Sequence, residues 1–142
     1  MQNLPTQNLP TQNLQYRIEA GSMKKILIVE DEELLSLSSI DLLAHSFEVT
    51  KTEDGLTGLQ LARQLQPNLI ICKANMPHFG GYEVLQALCQ SSITAKIPVI
   101  LIVEKSDSDA RRGFQMGANG YAIEKSKVCH LLEAIANNAS LN

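Results

Sequence analysis

The chain has 142 residues, 44% of them apolar and 19% charged, with a formal net charge of −3. That length and balance predict one globular domain with a core of ordinary size. No basic run exceeds Lys24-Lys25 or Arg111-Arg112, which argues against a nucleic-acid surface, and no apolar run approaches the ~20 residues of a membrane span.

The first 22 residues stand apart. "QNLPTQNLPTQNL" repeats every five residues and places Pro5 and Pro10 where a helix would need them absent. One leucine per repeat builds no core, so residues 1–22 are expected to form a disordered tail, and 23–142 the folded domain. From Lys24 the pattern changes. Ile26 to Val29 form a continuous apolar run, as in a strand covered on both faces. "DEELLSLSSIDLLAHS" then carries Leu34, Leu37, Ile40 and Leu43 at helical spacing, with Asp31 and Glu32 at its positive end. "FEVTKTE" is a short strand, and "DGLTGLQLARQLQ" a helix capped by Asp54 and ended by Pro67.

"LIICK" (69–73) is a third strand and "GYEVLQALCQ" a helix. "IPVILIV" is a fourth strand, and "SDSDARRGFQMG" a helix closed by Gly117. "GYAI" is a fifth strand, followed by the amphipathic "KVCHLLEAIANN". Strands alternating with helices imply a parallel sheet with helices on both faces. At this size the expected architecture is a flavodoxin-like, doubly wound five-stranded α/β fold of strand order 2-1-3-4-5. Only a few polar residues follow the last helix, so no output domain is expected.

The functional pocket of such a sheet lies beyond the carboxyl ends of its strands. A nucleotide or flavin there needs a turn of backbone N–H groups free of negative charge, and "VEDEE" is the opposite. Glu30 and Asp31 suit a hard cation, or simply compensate a helix dipole, and spacing alone leaves both open. His45, His78 and His130 are scattered, and Cys72, Cys89 and Cys129 sit at no metal-ligand spacing. The cysteines read as small core thiols of a reducing, cytoplasmic protein, and no secretory signal is visible.

"KKILIVEDEELL", "PNLIICKANMPHFGGYEVL", "IPVILIV" and "GANGYAIEK" together resemble the receiver domain of two-component response regulators, in order, over about residues 23–140. In that family an acidic pair and an Asp ending strand three bind Mg²⁺. The Asp accepts a phosphoryl group from a histidine kinase, and a Ser or Thr and a Lys ending strands four and five contact its oxygens. Carried over, the resemblance puts Glu30 and Asp31 at the acidic pair, Lys73 at the acceptor, Val103 at the hydroxyl and Glu124 at the lysine, with Lys125 where a proline usually follows. Tyr121 matches the aromatic that changes rotamer on activation.

Three of the five site positions depart. The expectation is therefore a degenerate pocket with no catalytic residue, no enzymatic activity, no cofactor and no Mg²⁺. Lys73 is expected to act as a built-in cation, paired with Glu30, Asp31 or both and linked to Glu124. The chain then reads as a stand-alone pseudo-receiver that signals by binding a protein, such as a histidine kinase, and neither nucleic acid nor membrane. The face over about residues 106–138 supplies the partner-binding candidates Arg111, Arg112, Phe114 and Tyr121. The alternative is a small-molecule or redox sensor using the altered pocket.

Overall fold

The computed structural model describes residues 23–32, 37–104 and 120–139. Five strands, β1 (Lys25–Val29), β2 (Glu48–Thr52), β3 (Leu69–Lys73), β4 (Val99–Val103) and β5 (Gly120–Glu124), pair in parallel in the order β2-β1-β3-β4-β5. The expected topology is observed. The described helices are α1 (Leu37–Ala44), α2 (Gly55–Leu65), α3 (Gly81–Cys89) and α4 (Val128–Ala139). The tail of residues 1–22 and the helix expected over 106–117, with Arg111, Arg112 and Phe114, lie outside the described residues, as does the side chain of Tyr121.

Alternation along β1 builds two cores. Leu27 and Val29 pack with Leu59, Ala62, Leu85 and Leu88 of α2 and α3, while Ile26 and Ile28 pack with Leu43 and Leu132 of α1 and α4. Every β1 side chain from Ile26 to Val29 is buried, which is why this strand reads as an unbroken apolar run. Asp54 caps α2 as expected, its carboxylate accepting from Thr57 N and Thr57 Oγ1, both at 2.8 Å. The helix stops at Leu65, before Pro67, because Gln66 turns left-handed at φ 47° and donates its N–H to Ala62 O. A single 3₁₀ turn, Lys125–Lys127, carries β5 into α4. Among the described residues no helix is long and apolar enough to cross a membrane.

Candidate functional site

Strand register sets which side chains meet at the carboxyl edge. Val29 lies level with Thr52 of β2 on one side and Cys72 of β3 on the other. Glu30 and Lys73 therefore leave the sheet together, one step further on. Lys73 is level with Ile102, and Val103 with Glu124.

Lys73 Nζ donates to Asp31 Oδ1 at 3.0 Å and to Glu32 Oε1 at 2.6 Å. Its side chain is only 15% exposed, against 28% for Asp31 and 54% for Glu32. Desolvation works to lower the lysine's pKa, but the hydrogen bonds to Glu32 and Asp31 and their charges outweigh it, so the ammonium is held above its ordinary value. Reciprocally, the hydrogen bond from Lys73, followed by its charge, holds Glu32 below the usual glutamate range.

Glu30 behaves differently. It is 0% exposed, and its Oε1 lies 3.6 Å from Nζ of Lys51, which projects from β2. Its backbone N–H donates to Thr52 O at 3.0 Å. Of the expected partners of Lys73, Glu30, Asp31 or both, the structure shows Asp31, adds Glu32, and places Glu30 beside Lys51 instead. The expected link from Lys73 to Glu124 is also absent among the described residues. Glu124 lies two strands away, about 10 Å at the usual spacing, while two nearer carboxylates hold the ammonium.

The clefts divide in the same way. One of about 340 Å³ is lined by Asp31, Lys73, Asn75, Met76, Pro77 and Tyr82 among others. A second, of about 260 Å³, is lined by Glu104, Glu124, Lys125 and Ser126. Glu124 and Lys125 therefore face a different cleft from Asp31 and Lys73, although the Lys125 charge still contributes weakly to lowering Glu32. Val103 is buried with the β1–α2–α3 core and offers no side-chain hydrogen-bond donor.

The loop from β3 to α3 is tightly seated. Gly81 N donates to Ala74 O and Gly80 N to Glu83 Oε1, both at 2.9 Å. A Cβ on Gly81 would stand 2.6 Å from Lys73 O, and one on Gly55 would collide with Phe79 O. His78 takes φ 71°, a left-handed conformation that costs a non-glycine roughly 1–2 kcal/mol. Phe79 is half-buried against the core rather than displayed. Beneath the loop, burial pushes the Cys72 thiol up to about 12.

The model of the response regulator receiver domain matches residues 26–136. The chain belongs to that family. This receiver is 34% identical over 116 residues to protein PilH of Pseudomonas aeruginosa, a match covering 80% of this chain and 95% of PilH. It is 35% identical over 115 residues to the DNA-binding dual master transcriptional regulator RpaA of Synechocystis sp.. That match covers 80% of this chain, which spans about half of RpaA, 48% of its length. Among solved structures, the chemotaxis response regulator CheY4 of Vibrio cholerae aligns with a TM-score of 0.65 at 26% identity, over 83% of this chain and 99% of that one. Receivers are signalling modules, so the family fits the expectation of a protein partner.

The family's Mg²⁺ does not fit the residues present at this edge. A hard cation needs free carboxylate oxygens. Here one oxygen of Asp31 and one of Glu32 accept from the Lys73 ammonium at hydrogen-bond distance, and one oxygen of Glu30 lies 3.6 Å from Lys51 Nζ. An ammonium among those oxygens opposes a divalent ion by charge as well as by space. Among the described residues no group of three or more His, Cys, Asp or Glu side chains is arranged to hold a metal ion.

Two participants were missed in the sequence, Glu32 and Lys51. The signal for Lys51 was available: it sits one residue before the end of β2, beside the strand that delivers Glu30.

Proposed function

We propose that this receiver is a pseudo-receiver, a two-component signalling module that acts by contact with another protein and without aspartyl phosphorylation. The observation that carries this reading is Lys73, at the end of β3 and engaged with Asp31 and Glu32. An acyl phosphate requires a carboxylate nucleophile, and a lysine held protonated by two carboxylates is not a substitute. Val103 offers no hydroxyl to a phosphoryl oxygen, and Glu124 would repel one. Residues 23–142 form the module in this reading, with a cytoplasmic signalling protein such as a histidine kinase as partner. The match covers 95% of PilH, so that relative consists almost wholly of the same domain. The partner face proposed for Arg111, Arg112, Phe114 and Tyr121 rests on the sequence alone.

Cys72 gives a redox sensor no support, because it is buried and its thiol is pushed up to about 12, far from thiolate at neutral pH. The test is incubation with acetyl phosphate and Mg²⁺ followed by intact-mass measurement. An unchanged mass is expected. A phosphoryl adduct mapped to the pocket overturns the reading.

A further inference from the structure

We infer that Lys51 and Lys73 together stand in for a divalent cation, neutralising the acidic turn after β1 from both sides and closing it to Mg²⁺. The inference rests on the pseudo-receiver reading of this pocket and goes beyond it, since absence of phosphorylation does not require absence of metal binding. β1 lies between β2 and β3, and each neighbour contributes one lysine from its carboxyl end. Lys51 lies 3.6 Å from buried Glu30, and Lys73 grips Asp31 and Glu32 at 3.0 and 2.6 Å. Two ammoniums carry the charge of one divalent ion.

The division follows burial. Glu30 has no exposure, so its charge must be compensated within the protein. Lys51 can do this from the sheet edge while its own side chain stays 30% exposed. Asp31 lines the cleft, where an ion from solvent would otherwise arrive, and there the shielded ammonium of Lys73 is already in place, with Glu32 as its second acceptor.

A tethered cation differs from a dissolved one in a specific way. Its local concentration is fixed by the chain, so its binding does not follow the metal content of the solution. The turn is then held in one arrangement with or without Mg²⁺. The seated β3–α3 loop, pinned through Gly55, Gly80 and Gly81, holds the other wall of the cleft without a ligand as well.

The test uses the full chain and three variants, Lys73→Asp, Lys73→Met and Lys51→Met. Mn²⁺ is titrated as a paramagnetic probe and amide signals at Glu30 to Glu32 and at residue 73 are followed, with Mg²⁺ as competitor. Wild type is expected to show no saturable broadening at these amides. Lys73→Asp removes the ammonium and adds an oxygen ligand, so its Mn²⁺ affinity is expected to be roughly tenfold or more tighter, following ligand charge count. Lys73→Met adds no ligand, and its Asp31 and Glu32 amides are expected to exchange with solvent severalfold faster than in wild type. Lys51→Met, which leaves the Lys73 clasp in place, is expected to keep Asp31 and Glu32 exchange near the wild-type rate.

Saturable, Mg²⁺-competed broadening in wild type overturns the inference, as does unchanged exchange at Asp31 and Glu32 in Lys73→Met. Both readouts survive even if Lys73→Asp fails to fold. Metal binding by wild type without a phosphoryl adduct sinks the built-in cation alone, whereas a phosphoryl adduct sinks the pseudo-receiver reading beneath it.

Discussion

Replacing Lys51 by Met removes the counter-charge of a carboxylate that has no solvent exposure, while keeping most of the lysine stem's apolar packing. Removing one partner of a fully buried pair costs about 3–5 kcal/mol, because the remaining charge is stranded. Three features of this pair reduce that figure. Lys51 is 30% exposed, so water already shares its charge. The 3.6 Å separation is longer than the ~2.7–2.9 Å of a strong charge-assisted hydrogen bond. Glu30 also keeps further interactions. A cost of about 1–3 kcal/mol remains, or roughly 4–12 °C in Tm for a domain of this size. Urea unfolding at neutral pH measures it. The double variant Lys51→Met/Glu30→Met removes both charges and is expected to recover to within about 1 kcal/mol of wild type. If Lys51→Met unfolds within about 0.5 kcal/mol of wild type, or the double variant is no better than the single, Glu30 does not depend on Lys51 and the two-lysine arrangement is wrong.

Cys72 is expected to resist iodoacetamide in the native protein at mildly alkaline pH and to label fully in denaturant, as peptide mass mapping reads directly; rapid native labelling would contradict its burial and raised pKa. Asp54 is held below the usual aspartate range by the Thr57 backbone N–H first and the Thr57 hydroxyl second. Its folded pKa is lowered, so its stabilisation is complete above about pH 4–5 and is lost as pH falls through the lowered value. Wild type should therefore be more stable than Asp54→Ala at neutral pH, with the gap closing at about pH 2. A gap that stays constant across that range would show that the cap does not act through the charged carboxylate.

Strand order and most element ends were legible because they follow from local pattern. "LIICK" is β3 to the residue, and Asp54 caps α2 through the short side-chain reach that a cap requires. Ion pairing was less legible. Alternation tells which face a residue takes, but a lysine's long stem reaches any of several carboxylates, and burial decides among them. Glu30, inside the sheet edge, is met by Lys51 from the neighbouring strand. Lys73 swings outward to Asp31 and Glu32. Sequence alone points to Glu124 as a partner, because its sign is exchanged with that of Lys73 relative to the family pattern. Register places it one level further along and two strands away, facing the second cleft. The aromatic loop residue Phe79 is held against the core by the close approach of Gly55.

The most direct measurement of whether this receiver works without phosphorylation is an amide-resolved ¹⁵N spectrum recorded before and after addition of Mg²⁺ with beryllofluoride, which mimics an acyl phosphate only where a carboxylate can receive it. With Lys73 bridging Asp31 and Glu32, the expected spectrum is unchanged at Glu30 to Glu32, at Lys73 and along β4 and β5. Saturable shifts at those residues, dependent on both Mg²⁺ and beryllofluoride, would show a working acceptor site and contradict the pseudo-receiver reading.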